Sequence, residues 1–240
     1  MSLKQTSLKA KGTGIEPAAG KQATLAYVAP FVVFVAFLAL RTWIPLEPEL
    51  RALLRFILVA TTLAVFSRRV IPRRPSFLIG SILLGLAVFV VWIGPDRLWG
   101  TGYRDFWLFR NSMLGAAVSS LPERLKANPF FIVTRVMESA ILVPIVEELF
   151  WRGWLMRWLI RPDFQSVPLG QYAPFSFWAV ALFFASEHGP YWEVGLIAGI
   201  AYNAWIVRTR NLADCILAHG VTNAVLAGYV LLFDKWQYWL

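Results

Sequence analysis

Charge is scarce in this sequence: 15% of its 240 residues are Asp, Glu, Lys or Arg, while 58% are hydrophobic. A soluble domain carries roughly a quarter charged residues, so this chain has too little polar surface to face water on all sides. Cysteine is nearly absent as well. The single Cys215 sits in an apolar stretch, which excludes a disulfide framework or a thiolate metal cluster within one chain. Histidine occurs only at His188 and His219, and no H-E-x-x-H pair is present, so a zinc-hydrolase reading finds few ligands. A Gly-rich phosphate loop, a nucleophile elbow and an internal repeat are also missing. The formal net charge of +9 would suggest nucleic acid in a soluble protein. Here Lys and Arg cluster beside apolar runs, where membrane orientation explains them, so nucleic acid is set aside as a partner and membrane lipids take its place.

What the sequence does have is long uncharged runs, and these predict an all-α transmembrane bundle of about seven to eight spans. Residues 1–22 are polar, carry Lys4, Lys9, Lys11 and Lys21, and lack an apolar core followed by a cleavage site, which reads as a cytoplasmic tail. The remainder, 23–240, reads as one transmembrane domain. Within it 23–128 forms generic spans and an interfacial segment, and 129–233 forms the helices of a catalytic core. Spans are predicted near 23–40, 52–66, 77–93, 130–160, 175–186, 192–207 and 213–233. The stretch 96–128 interleaves Trp99, Tyr103, Trp107 and Phe109 with Arg97, Arg104 and Arg110, an interfacial pattern in which 106–121 is open to a dipping or spanning course. Placing Arg68 to Arg74, Arg157 to Arg161 and Arg208 to Arg210 on one side gives seven spans with the amino terminus inside. A cysteine placed at Pro72 is therefore expected to react only from the inside.

Chemistry must come from polar residues at membrane depth. An ionised side chain at the bilayer centre costs about 2.5 to 3.5 kcal/mol on insertion scales, which makes Glu147, Glu148 and Arg152 functional candidates. Adjacent helical residues point about 100° apart, so the two glutamates face different partners. Glu148 and Arg152 stand at i, i+4 on one face. Glu147 is then aimed elsewhere, free to titrate or hold a water. His219 and Asn223 also stand at i, i+4 and present two hydrogen-bonding groups together. A glutamate base, a histidine that orients it and a His-Asn donor pair suit water-mediated attack on a carbonyl. Arg135 and Glu138, at i, i+3, are expected to pair with each other as scaffold, and Glu187 and Glu193 to be interfacial.

The run Glu147-Glu148-Leu149-Phe150-Trp151-Arg152 fits E-E-x-x-x-R, Phe184 to His188 fits F-x-x-x-H, and His219 to Asn223 fits H-x-x-x-N. In this order the three motifs resemble the CPBP family of intramembrane glutamate endopeptidases, which includes type II CAAX prenyl proteases and bacteriocin-processing or self-immunity proteins. The resemblance covers roughly 135–228. The length and the Trp-rich 96–128 segment resemble the narrower group of CAAX-protease-related proteins encoded with bacterial exosortase systems. It implies that Glu147 and His188 activate water, that Arg152 positions Glu148, and that His219 with Asn223 stabilises the oxyanion. It further implies a metal-independent peptidase of a bacterial plasma membrane, acting on a membrane-associated peptide or protein that is lipidated or carries a sorting signal. Two other classes stay open: a metal-dependent hydrolase, which a chelator would inhibit, and a non-proteolytic scaffold, immunity factor or transporter that keeps the fold, which would survive Glu147→Gln.

Overall fold

The structure is a computed structural model that describes residues 17–240, apart from Ser112, Ser120 and Leu240. Among the described residues seven principal helices follow one another: α1 Pro17–Leu40, α2 Pro48–Ser67, α3 Leu78–Trp99, α4 Pro129–Trp158, α5 Pro174–Ser186, α6 Trp192–Thr209 and α7 Leu212–Phe233. No β-strand occurs among the described residues. The predicted tail falls mostly outside them, and its last residues already belong to the first turns of α1. Prolines begin α2, α4 and α5, where the missing N–H would be unpaired in any case. Asn128 and Asn211 cap α4 and α7, each side-chain oxygen accepting a backbone N–H, from Phe131 at 3.2 Å and from Ala213 at 3.0 Å. α3 starts against a buried acid of α7: Asp214 Oδ1 accepts the Phe77 N–H at 2.8 Å and the Ser81 hydroxyl at 3.3 Å.

Five helices, all except α5 and α6, are long and apolar enough to cross a membrane. This is a helical membrane bundle. At 1.5 Å per residue the 13 residues of α5 reach only about 20 Å against a hydrocarbon core of about 30 Å. Its carboxyl end, and the histidine just after it, therefore stop short of a full crossing.

The loops sort to two ends. At one end Asn211 Nδ2 donates to the Arg74 carbonyl at 3.0 Å and to Ser76 Oγ at 2.7 Å, and Tyr27 packs edge-on against Phe164 at 5.4 Å. Gly170, at φ 71, lies so close to α6 that an added Cβ would come within 2.2 Å of the Ile206 carbonyl oxygen and 3.2 Å of Arg210 Cγ. The arginines of the 68–74, 157–161 and 208–210 stretches thus share one end of the bundle. At the other end Arg124 pairs with Glu47 at 2.9 Å and with Glu49, joining the α1–α2 turn to the loop before α4. Among its described residues the stretch 106–121 contains no helix, and it folds over this second end instead of crossing, the Leu108 carbonyl accepting from Trp192 Nε1 at 3.1 Å.

One expected pair is corrected. Glu138 does not take Arg135 as its ion-pair partner: it takes Arg55 of α2 in a two-pronged contact, Nε to Oε1 at 2.6 Å and Nη2 to Oε2 at 2.5 Å. Both side chains are largely buried, and the pair ties α2 to α4. Arg135 lies instead over the Trp239 ring at 5.5 Å.

Candidate active site

α4 is not a regular helix. Glu138–Leu142 and Leu149–Leu155 are wound as π-turns on either side of the α-helical Val143–Glu148. Pro144 has no N–H to give the carbonyl four residues back, and the widened turn just before it absorbs the misfit. The second widened turn carries Arg152. Between them Glu147 and Glu148 diverge as adjacent helical residues must.

Glu148 and Arg152 lie behind the site, with no exposed surface. Arg152 Nη1 donates to Glu148 Oε1 at 3.0 Å, Nη2 to the Gly199 carbonyl at 3.2 Å and Nε to Asn203 Oδ1 at 2.9 Å. The guanidinium also lies 4.6 Å from the centre of the Phe184 ring, a cation–π contact. Asn203 is held in turn by its own amide, which donates to the Phe177 carbonyl at 2.8 Å. His219 joins this buried group through Nδ1, 3.0 Å from the same Glu148 Oε1, and its ring stacks on Tyr202 at 5.1 Å. Tyr202 is fixed by a 2.8 Å hydrogen bond to Thr222.

In front of the group is a cavity of about 420 Å³. Glu147, His188, His219 and Asn223 all line it, whereas Glu148 and Arg152 do not. Glu147 is 8% exposed, and its Oε2 is buried without a hydrogen-bond partner among the described residues. His188 Nδ1 stands 2.7 Å from the Phe184 carbonyl. A carbonyl only accepts, so Nδ1 carries the hydrogen and Nε2 of the neutral ring holds a lone pair. The ring is wedged beside Trp92 at 5.1 Å, and Gly195 leaves room for it: a Cβ there would fall 2.9 Å from His188 Nδ1. By the same logic His219 gives its Nδ1 hydrogen to the arginine-bound carboxylate, and its Nε2 donates only when the ring carries a second proton. Asn223 Nδ2 donates one hydrogen to the Ser139 carbonyl at 2.8 Å, which leaves its second N–H and its oxygen for a ligand.

Three contributors lie outside the motifs. Asn203 and Tyr202 come from α6, a helix with no motif, and their partners are 51 and 20 residues away in sequence. Their signal was a polar residue in an otherwise apolar span. Glu187, expected to be interfacial, lines the same cavity as Glu147. No group of three or more His, Cys, Asp or Glu side chains suited to a metal occurs among the described residues.

No curated protein and no solved structure matches the chain. Residues 129–225, from the first turn of α4 into the second half of α7, match the family model described as Type II CAAX prenyl endopeptidase Rce1-like.

Proposed function

We propose that the protein is an intramembrane glutamate endopeptidase that hydrolyses a peptide bond of a membrane-associated substrate with water activated by Glu147 and His188. The family domain supports a CAAX-protease-type activity. The observation that carries the finer reading is the division between two neighbouring carboxylates. Each keeps one buried oxygen without a partner, but Glu148 is tied through Oε1 to Arg152 and His219 and lies off the cavity, while Glu147 forms no ion pair among the described residues and stands on the wall of the cavity with both histidines and Asn223.

In this mechanism a water held between Glu147 and the lone pair of His188 Nε2 attacks the scissile carbonyl carbon, and Glu147 takes one of its protons. The carbonyl oxygen becomes an oxyanion, which accepts hydrogen bonds from the free N–H of Asn223 and from Nε2 of doubly protonated His219. Glu148 supplies the counter-charge of that ring. Collapse of the tetrahedral intermediate breaks the C–N bond, and the proton held by Glu147 passes to the leaving amine. Arg152 and Asn203 act at one remove, by fixing Glu148 and so the ring of His219. No metal is part of this scheme.

The test is cleavage of a peptide presented in lipid nanodiscs, with mass-spectrometric detection of the products. Glu147→Gln keeps shape and burial but removes the base, and it is expected to abolish cleavage with thermal stability unchanged. Undiminished cleavage by Glu147→Gln would reject the base. A protein that cleaves nothing yet keeps its cellular role after Glu147→Gln would be a scaffold, immunity factor or transporter on a protease fold.

A further inference from the structure

The cavity that holds Glu147 is lined toward the second end of the bundle by Trp92, Leu114, Tyr191 and Tyr238. A separate groove of about 550 Å³ lies on another face of the same two helices. Its walls are α4 from Ala140 to Ile145 and α7 from Ala213 to Ala224, and the 71–75 stretch closes it at the first end. Ala140, Gly220 and Ala224 each follow a cavity residue by one position, Ser139, His219 and Asn223, and adjacent helical residues point about 100° apart. Small side chains hollow the groove, and its floor is tight: a Cβ on Gly220 would lie 3.0 Å from the Ala140 carbonyl oxygen. Ile141 is 45% exposed and Ala224 is exposed, both on helices long and apolar enough to cross the membrane, so the groove faces lipid.

Its length, section and polarity select an occupant. From Ala213 to Ala224 the helix rises about 16 Å at 1.5 Å per residue, close to one leaflet of a hydrocarbon core about 30 Å thick. Spread over that length, the volume of about 550 Å³ gives a mean section of roughly 35 Å², under half of the ~80 Å² that a helix 10 Å across fills. A helix of a second protein does not seat in it. Arg73 is the only lining residue with a polar side chain. An extended peptide would therefore leave its backbone N–H and C=O groups unpaired at membrane depth, which hydrocarbon does not tolerate. A single acyl chain fits the length, the section and the apolar walls together.

The charge at the end of the groove adds a headgroup. Arg68, Arg69, Arg73 and Arg74 are all exposed, and none of them forms an ion pair among the described residues. Asp214, next to Ala213 in the wall, is fully buried and turned to the Phe77 N–H and the Ser81 hydroxyl, so it does not neutralise them. Guanidinium groups grip phosphate oxygens in pairs, and basic side chains beside a spanning helix attract anionic headgroups.

We propose that this groove is a lipid site, in which one acyl chain of an anionic glycerophospholipid lies between α4 and α7 and its phosphate is held by Arg73 and Arg74. The proposal does not rest on the peptidase reading and is tested without catalysis. The purified full chain, delipidated in detergent, is titrated with phosphatidylglycerol and with phosphatidylcholine of the same acyl chains, and bound lipid is counted by native mass spectrometry. Phosphatidylglycerol is expected to bind roughly tenfold tighter or more, and glycerophosphoglycerol, the headgroup without chains, is expected not to displace it. Arg73→Gln combined with Arg74→Gln should remove the preference, whereas Arg110→Gln at the second end should leave it. Ala224→Phe and, from the opposite wall, Ile141→Trp fill the groove from its exposed rim and should weaken binding of both lipids, read in whichever variant keeps the wild-type unfolding temperature. Equal binding of the two lipids, a preference that survives the double arginine variant, or displacement by the bare headgroup overturns the proposal. So does undiminished binding in a filled groove.

Discussion

Glu147 and Glu148 share one chemistry and one helix, and only their surroundings separate them. Glu148→Gln leaves Arg152 buried without its counter-charge, which for a fully buried pair costs about 3 to 5 kcal/mol. It is expected to lower thermal stability in detergent, whereas Glu147→Gln is expected to remove cleavage alone. A stable Glu148→Gln without activity beside an active Glu147→Gln would reverse the assignment. Asn223 gives a second residue-level prediction. Its amide is steered by the Ser139 carbonyl and keeps one N–H free, so Asn223→Ala should lower kcat by ~10²-fold or more while changing KM little. Normal kcat with raised KM would move Asn223 to substrate recognition. The motif residues were legible because spacing on a single helix fixes direction: i, i+4 put Arg152 with Glu148 and His219 with Asn223. Asn203 was not legible, because its tie to Arg152 depends on how α6 packs against α4, which no local spacing encodes.

Among the elements, the helix boundaries followed from apolar runs and proline positions, since a chain in lipid must satisfy its backbone internally and has few choices. What the runs do not encode is which helix touches which. The Arg55–Glu138 pair shows this, as does the close approach of α3 and α7. A Cβ on Gly85 would lie 2.4 Å from the Ala218 carbonyl oxygen and 2.7 Å from Val221 Cβ, so two backbones meet there with no side chain able to move aside. The Gly85 carbonyl also accepts the Thr222 hydroxyl at 2.9 Å, which is bonded to the tyrosine beneath His219. Gly85→Ala should therefore push the helices apart, costing about 1 to 3 kcal/mol as overpacking does, and should depress cleavage from a distance. Gly94→Ala on the same helix meets nothing within 4 Å and serves as the control, expected to match wild type in both measurements. Equal behaviour of the two variants in thermal unfolding would show that the α3–α7 seam yields more easily than its geometry implies.

At the scale of the whole molecule, one arginine holds together the end at which the cavity opens. Arg104 is 4% exposed; its Nε donates to Asp96 at the end of α3 at 2.6 Å, and its Nη1 donates to the Pro190 carbonyl at 2.8 Å and to Glu193 at the start of α6 at 2.9 Å. Its guanidinium stacks 3.9 Å above the Tyr191 ring. The carboxyl-terminal residues join the same group, because Tyr238 donates to the other Asp96 oxygen at 2.7 Å and the Gln237 carbonyl accepts the Tyr191 hydroxyl at 3.0 Å. Two acids around one cation make the arginine the member whose loss leaves most charge unpaired. Arg104→Met would keep much of the side-chain volume but strand Asp96 and Glu193, at about 3 to 5 kcal/mol for charges this enclosed. Adding Asp96→Asn should recover part of that loss, since it removes one stranded charge and leaves an amide that can still bond Tyr238. Because Tyr191 and Tyr238 also form the rim of the cavity, the loosened end should expose the interior, and with Cys215→Ala in both chains a Ser139→Cys thiol should react with a methanethiosulfonate faster in the Arg104→Met chain than in the one that keeps Arg104. Thermal unfolding of the single and double variants, with the labelling rate beside it, checks both parts. An Arg104→Met protein as stable as wild type and no faster to label would mean that aromatic packing, not the arginine, holds this end closed.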